Sequence, residues 1–392
     1  MSFTKHLLSP AKINLGLTIP FKYANGFHHI VSIFVPIDLC DEVTVSISPS
    51  NSGDDHFELS WENHLPENFR SQKTALAFSQ NVQDNLVYKA WQWIRIFLRQ
   101  CSMEIAPLNV RVFVKKKIPS PGGLGGASSN AACLLQAVME YIKPGAFPGV
   151  FSTIENQLKT RSLEIGSDVP FFLHNGPCLV SGTGEVFSEI GSLPFLGILA
   201  TPDFGIATSG MFQALNKPVC RLTREEMIRQ IPWANNSKKT LHDDYSKINS
   251  LKSSHEKYFG FLNWMTGAEK KNPAEFTGHT GMAGKFADIF DQEGNRTFLI
   301  KNEFIEVLQK VNPENYAVLK KLKNIFIRKT KGLMDEDNRT FLLTSMSGSG
   351  STWYAGFPGL DCKHPFYNKI DVLVDELRKE HPGIYWQKFC SR

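Results

Sequence analysis

The chain has 392 residues, 42% hydrophobic and 21% charged, enough for two or three domains with substantial cores. A formal net charge of +5 suits anionic small molecules but falls short of the dense basic stripe of a nucleic-acid binder. No apolar run approaches ~20 residues, so no membrane span is expected, and seven scattered cysteines without C-x-x-C spacing predict reduced thiols, with neither disulfide nor zinc.

In chain order, Ile30–Val35 and Val43–Ser48 alternate in the manner of two strands, and Pro49–Asp55 is a polar, turn-rich break. Asn85–Cys101 carries Leu86, Ala90, Ile94, Phe97, Leu98 and Cys101 at helical spacing, with Trp91 and Trp93 read as packing residues. Val110, Val112 and Val114 then alternate with Arg111, Phe113 and Lys115 as a strand. A basic triplet, Lys115–Lys117, follows. Pro177–Ser181 is a further strand, and entry to a second domain is expected around 185–195. Later helices are predicted at Asn302–Val311, Asn315–Ile325 and Ile370–Leu377. There is no internal repeat. The chemistry-bearing pattern begins near residue 9, which predicts a cytoplasmic protein without a cleavable targeting segment.

The most informative stretch is 118–130, Ile-Pro-Ser-Pro-Gly-Gly-Leu-Gly-Gly-Ala-Ser-Ser-Asn, which leads into an apolar-periodic run of Ala131, Leu134, Leu135, Val138 and Ile142. A strand, a glycine turn and a helix start form a place to hold phosphate, because glycine lets the backbone approach and first-turn N–H groups point outward at the positive end of the dipole. It is not a Walker loop, since Gly126, Ala127 and Ser128 stand where Gly-Lys-Ser/Thr is needed. Nor is it a dinucleotide fingerprint, whose third glycine would replace Ser128. One of Ser128 and Ser129 suffices to cap the helix, leaving the other for phosphate or its metal. Asp168, ahead of Val169-Pro170, reads either as a helix N-cap or as a proton acceptor, and Lys12 either as the exposed side of a strand or as a cation for the reaction.

The loop Pro119-Ser-Pro-Gly-Gly-Leu-Gly-Gly-Ala-Ser-Ser resembles the second motif of the GHMP small-molecule kinases. Ser9-Pro-Ala-Lys-Ile-Asn-Leu-Gly-Leu17 resembles their first motif. Gly166-Ser-Asp-Val-Pro-Phe-Phe172 is similar to a catalytic Gly-Ala-Asp-Val-Pro-Phe-Phe, and Met346-Ser-Gly-Ser-Gly-Ser351 to the third glycine motif. Asn25-Gly-Phe-His-His-Ile30 resembles the Asp-Gly-Tyr-His segment of those members whose acceptor is a cytidine diphosphate sugar alcohol. The resemblance implies an α+β fold, with an N-terminal ribosomal-protein-S5-domain-2-like domain at 1–185 and a C-terminal ferredoxin-like α+β domain at 186–392. Two stretches exceed the usual length, at about 52–80 and 220–300. The second is polar and mixed in charge, and carries Trp233, Tyr258, Phe259, Phe261 and Trp264 as apolar anchors.

By the same resemblance, the activity is ATP-dependent phosphoryl transfer to an alcohol. Lys12 and Asp168 are its catalytic residues, the aspartate as base and the ammonium stabilising negative charge on it and on the substrate alkoxide. ATP is expected on Pro119, Gly122, Gly123, Leu124, Gly125, Gly126, Ala127, Ser128, Ser129 and Asn130, with Asn85 and Lys116 contacting the nucleotide and Ser347, Gly348, Ser349 and Gly350 adding the third motif. Mg2+ bridges the ATP phosphates, with Ser128 as its one named protein contact. The acceptor is expected on Asn14, Phe27, His28, Thr208 and Phe212, with Phe27 and Phe212 stacking on cytosine from its two faces. Pro121 stands where the family commonly has glycine and removes one N–H from the anion cradle. A homoserine- or mevalonate-like acceptor, or a non-catalytic nucleotide-binding protein of this fold, stays open. So does the choice between monomer and homodimer; no nucleic acid or membrane partner is expected.

Overall fold

The computed structural model describes residues 2–66, 82–143, 148–174, 176–220, 290–292, 297–336 and 342–392. Most of the stretch at 220–300, including its five aromatic anchors, and half of the one at 52–80 lie outside the described residues. The chain forms two compact units, each assembled from several segments. The first comprises Met1–Lys12, Asp38–Ser120 and Leu124–Asn175; the second comprises Ile13–Ile37, Pro121–Gly123 and Gly176–Arg392. Strands β1 (Phe3–Thr18) and β3 (Val31–Pro49) each contribute residues to both, and β2 (Lys22–Tyr23) lies between them in sequence.

The two short strands expected at 30–35 and 43–48 are one strand, β3. Pro36, Asp38 and Asp41 interrupt the apolar pattern that made them look separate, yet Ile37, Leu39, Asp41, Val43, Val45 and Ile47 are all buried. In the first unit β4 (His56–Asn63) runs parallel to β5 (Leu108–Lys116), which is antiparallel to β3 from Glu42↔Lys115 to Pro49↔Leu108. Alternate residues of β5 are buried: Leu108, Val110, Val112, Val114 and then Lys116. Helix α1 (Leu86–Gln100) buries Val87, Ala90, Trp91, Ile94, Phe97 and Leu98. Trp91 stacks on Phe57 at 5.8 Å and Trp93 on Phe97 at 4.8 Å, so both tryptophans are packing residues. Helix α2 (Gly126–Ile142) is buried along almost its whole length and packs on α1. Helices α3 (Pro148–Arg161) and α4 (Val169–Phe172) complete the unit.

In the second unit β6 (Cys178–Ser181) pairs antiparallel with β3 and with β7 (Val186–Glu189). Strand β8 (Phe195–Pro202), buried at every position, is followed by α5 (Thr208–Ala214) and β9 (Val219–Cys220), which pairs with β2. Strands β10 (Phe290–Gln292) and β11 (Thr297–Ile300) lead into α6 (Glu303–Val311) and α7 (Pro313–Glu336). Then come β12 (Leu342–Met346), β13 (Trp353–Pro358), α8 (Phe366–Glu380) and β14 (Ile384–Cys390). The second sheet has the order β10-β11-β12-β13-β8-β14. Helix α7 runs well past the predicted Asn315–Ile325 because its buried face continues through Phe326, Thr330 and Met334, and α8 extends Ile370–Leu377 at both ends, with Phe366 buried in its first turn. Among the described residues no helix is long and apolar enough to cross a membrane.

Candidate active site

In the first unit, β5 ends at Lys116 and the chain returns from Leu124 into α2. Gly125 is the N-cap, in left-handed backbone at φ +71°, and no side chain caps the helix. Ser128 and Ser129 therefore serve as neither cap; they are the third and fourth helical residues. The first-turn amides are spared a side-chain competitor. Gly125 is doubly required. Its φ disfavours other residues, and a Cβ would lie 2.9 Å from Phe172 Cζ and 3.2 Å from Lys12 Cγ. Among the described residues, the Ser129 hydroxyl is buried without a hydrogen-bond partner.

Lys12 and Asp168 meet beside this turn, Nζ to Oδ2 at 3.4 Å, with the lysine side chain 4% exposed and the aspartate 27%. The Lys12 amide donates to the Leu124 carbonyl at 2.9 Å, so the strand bearing the lysine is tied to the loop. Asp168 does occupy the N-cap position of α4, but its side chain makes no capping bond, and its carboxylate is not spent on the helix.

Other expected nucleotide residues already carry structural contacts. Asn85 caps α1, its Oδ1 accepting from Val87 N–H at 2.9 Å. Asn130 is wholly buried, accepting from Ser9 Oγ at 2.6 Å and donating to Asp41 Oδ2 at 3.1 Å. Lys116, 4% exposed, donates from Nζ to Asp41. Lys115 and Lys117 both pair with Glu42, whose carboxyl is held below its usual range chiefly by the hydrogen bond from Lys117. The basic triplet is thus matched by Asp41-Glu42, two acids to which the sequence reading gave no role.

In the second unit, His28 stacks on Phe212 at 5.1 Å and 27°, and Phe212 meets Phe304 edge-on at 4.9 Å. Among the described residues the His28 Nε2 is buried without a partner, and burial, then Lys22 and Lys217, lowers the ring's pKa. Phe27, 64% exposed, sits on a turn held by Asn25 Oδ1, which accepts from Phe27 N–H at 3.1 Å. His29, by contrast, is a core residue, sharing a 2.6 Å bond with the Tyr23 hydroxyl. Asn14 is buried and donates to Ser32 Oγ at 3.1 Å. Thr208 opens α5, one turn before Phe212, and bonds Ser349 Oγ at 2.7 Å.

The third glycine motif grips Pro121–Gly123. Ser347 Oγ donates to the Gly123 carbonyl at 3.1 Å and Thr352 N–H to that of Gly122 at 3.2 Å. A Cβ on Gly123 would sit 2.2 Å from the Ser347 carbonyl. Asn302, also missed in the sequence, spans the motif from behind: its Nδ2 donates to the carbonyls of Met346 at 2.9 Å and Gly348 at 2.8 Å. Pro121 packs on Gly205 so closely that a Cβ there would lie 2.0 Å from its Cγ.

Residues 85–176, which carry the left-handed glycine turn, the helix start without a side-chain cap and Asp168, match the family model described as the GHMP kinases N terminal domain. The 4-diphosphocytidyl-2-C-methyl-D-erythritol kinase of Leptospira biflexa serovar Patoc is 35% identical over 211 residues, 54% of this chain and 64% of that protein. The matched segment thus spans just under two thirds of that relative's length. A counterpart assigned to the same enzyme in Streptococcus equi subsp. zooepidemicus is 32% identical over 225 residues, 57% of this chain and 69% of its own. A crystal structure of a 4-(cytidine 5'-diphospho)-2C-methyl-D-erythritol kinase shares the fold, with a TM-score of 0.51 over 99% of both chains at 18% identity. This chain belongs to the 4-diphosphocytidyl-2-C-methyl-D-erythritol kinase family.

Proposed function

We propose that the protein transfers the γ-phosphoryl of ATP to the 2-hydroxyl of 4-diphosphocytidyl-2-C-methyl-D-erythritol, giving the 2-phosphate and ADP, a cytoplasmic step of non-mevalonate isoprenoid precursor synthesis. The observation that carries this reading is the Lys12–Asp168 pair at 3.4 Å beside the start of α2, its carboxylate free of any capping bond. Amides of Gly126, Ala127 and Ser128 would hold phosphate oxygens at the positive helix end. Asp168 accepts the hydroxyl proton as the new O–P bond forms, and Lys12 stabilises the negative charge that develops there. Positioning supplies more of the rate than the base does, roughly 7–11 kcal/mol against ~10²–10⁴-fold, so the loop geometry matters most.

Phe27 and His28 are our candidates for cytosine. The exposed Phe27 ring offers a stacking face and the unpartnered His28 Nε2 a polar contact to the ring edge. Asn14, Thr208 and Phe212 complete the acceptor set. Ser128 in the first turn of α2 and Asp168 beside Lys12 offer oxygen donors that suit a hard cation, and Ser128 would hold Mg2+ while ATP and water supply its other ligands. That ion, when bound, neutralises phosphate charge.

The test is ADP release with each of three acceptors in turn: the cytidyl diphosphate, homoserine and mevalonate. Turnover is expected with the first alone. Turnover with homoserine or mevalonate instead would replace the acceptor, and nucleotide binding without any turnover would make the chain a non-catalytic member of the fold.

A further inference from the structure

Asp41 is a fully buried acid that the proposed chemistry does not use. It occupies a core-facing position of β3, between Leu39 and Val43, where an unsatisfied carboxylate would be costly. The register that pairs Glu42 with Lys115 brings Asp41 opposite Lys116, the one core-facing charge of β5. The carboxylate accepts four hydrogen bonds. Oδ1 takes the amides of Lys117 at 2.7 Å and Ile118 at 2.8 Å; Oδ2 takes Lys116 Nζ and Asn130 Nδ2.

The spacing of these partners along the chain is the informative part. Lys117 and Ile118 lead into the glycine loop, and Asn130 stands on the first turns of the helix that leaves it. Ser9, from β1, extends the chain of bonds through Asn130. Lys116 Nζ lies 3.3 Å from where a Cβ on Gly126 would be, so the ammonium is held directly beneath the first residue of α2. One side chain therefore ties the entry of the loop to its exit and fixes a cation at its foot.

We propose that Asp41 is the positioning residue of the phosphate loop, setting the spacing across residues 117–130 and the location of the Lys116 ammonium. The inference rests on the reading of this loop as the ATP site. A buried acid with a merely structural role would affect stability and leave ligand preference alone; a positioning acid shifts nucleotide binding selectively.

The experiment compares wild type with Asp41→Asn, which keeps an acceptor oxygen and loses the charge, and with Ser9→Ala, a milder cut to the same network. Three quantities are read: the Kd of a non-hydrolysable ATP analogue by calorimetry, KM for the cytidyl acceptor, and amide hydrogen exchange across 117–130. Asp41→Asn is expected to weaken the analogue by roughly 10–100-fold and Ser9→Ala by about 2–10-fold, the range for lost charged and neutral hydrogen bonds. Acceptor KM should stay within about 2-fold, and exchange should quicken in 117–130 before the rest of β3 and β5. Uniformly faster exchange with unchanged analogue affinity would overturn the proposal. If Asp41→Asn does not fold, Ser9→Ala decides by the same criteria. If wild type binds the analogue but turns over no acceptor, the kinase reading fails and the positioning claim still stands or falls on affinity and exchange. If wild type binds no analogue, both fail.

Discussion

Substituting Gly205 by alanine probes the loop through a single steric contact. Gly205 is not in left-handed backbone, so alanine carries no conformational penalty there and the effect is the clash alone. The added Cβ would lie 2.0 Å from Pro121 Cγ, against about 3.5–4.0 Å for carbon atoms in contact, so one segment must yield by about 1.5 Å. Overpacking of this kind costs roughly 1–3 kcal/mol, or about 2–12 °C in Tm for a unit of this size. Pro121 immediately precedes Gly122 and Gly123, whose carbonyls are pinned by Thr352 and Ser347, so a displaced proline drags the loop. A misplacement of ~1 Å can cost 10²-fold in rate, which puts the expected fall in kcat/KM for ATP at about 10–100-fold. Coupled ADP release at varied ATP, with thermal denaturation alongside, measures both effects. Adding Pro121→Gly to Gly205→Ala removes the ring and should bring kcat/KM back to within about 3-fold of Pro121→Gly alone. Wild-type kinetics in Gly205→Ala, or a double variant no better than the single, would refute the argument.

Further outcomes follow from the same geometry. Asp168→Asn should lower kcat by ~10²–10⁴-fold with little change in KM for ATP, and an unaltered kcat in steady-state assays would remove its role. Phe27→Ala should raise KM for the cytidyl substrate by about 5–150-fold, the equivalent of about 1–3 kcal/mol, and spare ATP, by analogy with base–aromatic stacking; equal weakening of both ligands would make the ring structural. Burial, with Lys22 and Lys217 adding to it, lowers the pKa of His28 in the fold. Because its folded pKa lies below the unfolded value near 6.5, its contribution to stability is complete above that pH and is lost as pH falls toward the folded value. Thermal denaturation between pH 7.5 and 5 should therefore show a decline that His28→Gln partly flattens; an identical pH profile in the variant would contradict this.

How much of this was legible depended on whether a feature is local. Gly125 and Gly126 after an alternating valine strand announce a turn and helix start, and the loop, its helix and the Lys12–Asp168 pairing were accessible from motif order. Features made by distant segments were not. Gly205 reads as an ordinary loop glycine until Pro121 is set against it, and Asn302 reads as a helix cap, which it is, its Oδ1 accepting from Phe304 N–H. Its second task, holding Met346 and Gly348, needs three dimensions. Asp41 did leave a trace. With β3 taken as one strand it falls on the same parity as Val43, Val45 and Ile47, and a charge at such a position implies a buried partner. Splitting β3 in two hid that parity. Asn85 and Asn130, expected at the nucleotide from motif position, also carry structural bonds that motif position does not reveal: a local cap bond for Asn85 and a long-range bond to Asp41 for Asn130.

The most direct measurement is a crystal structure with a non-hydrolysable ATP analogue and Mg2+. The account predicts phosphate oxygens on the amides of Gly126–Ser128 at about 2.7–3.2 Å, with the terminal phosphorus beside Asp168 and Lys12. A triphosphate bound elsewhere, or a terminal phosphorus more than ~10 Å from both side chains and so beyond any proton transfer, would contradict it.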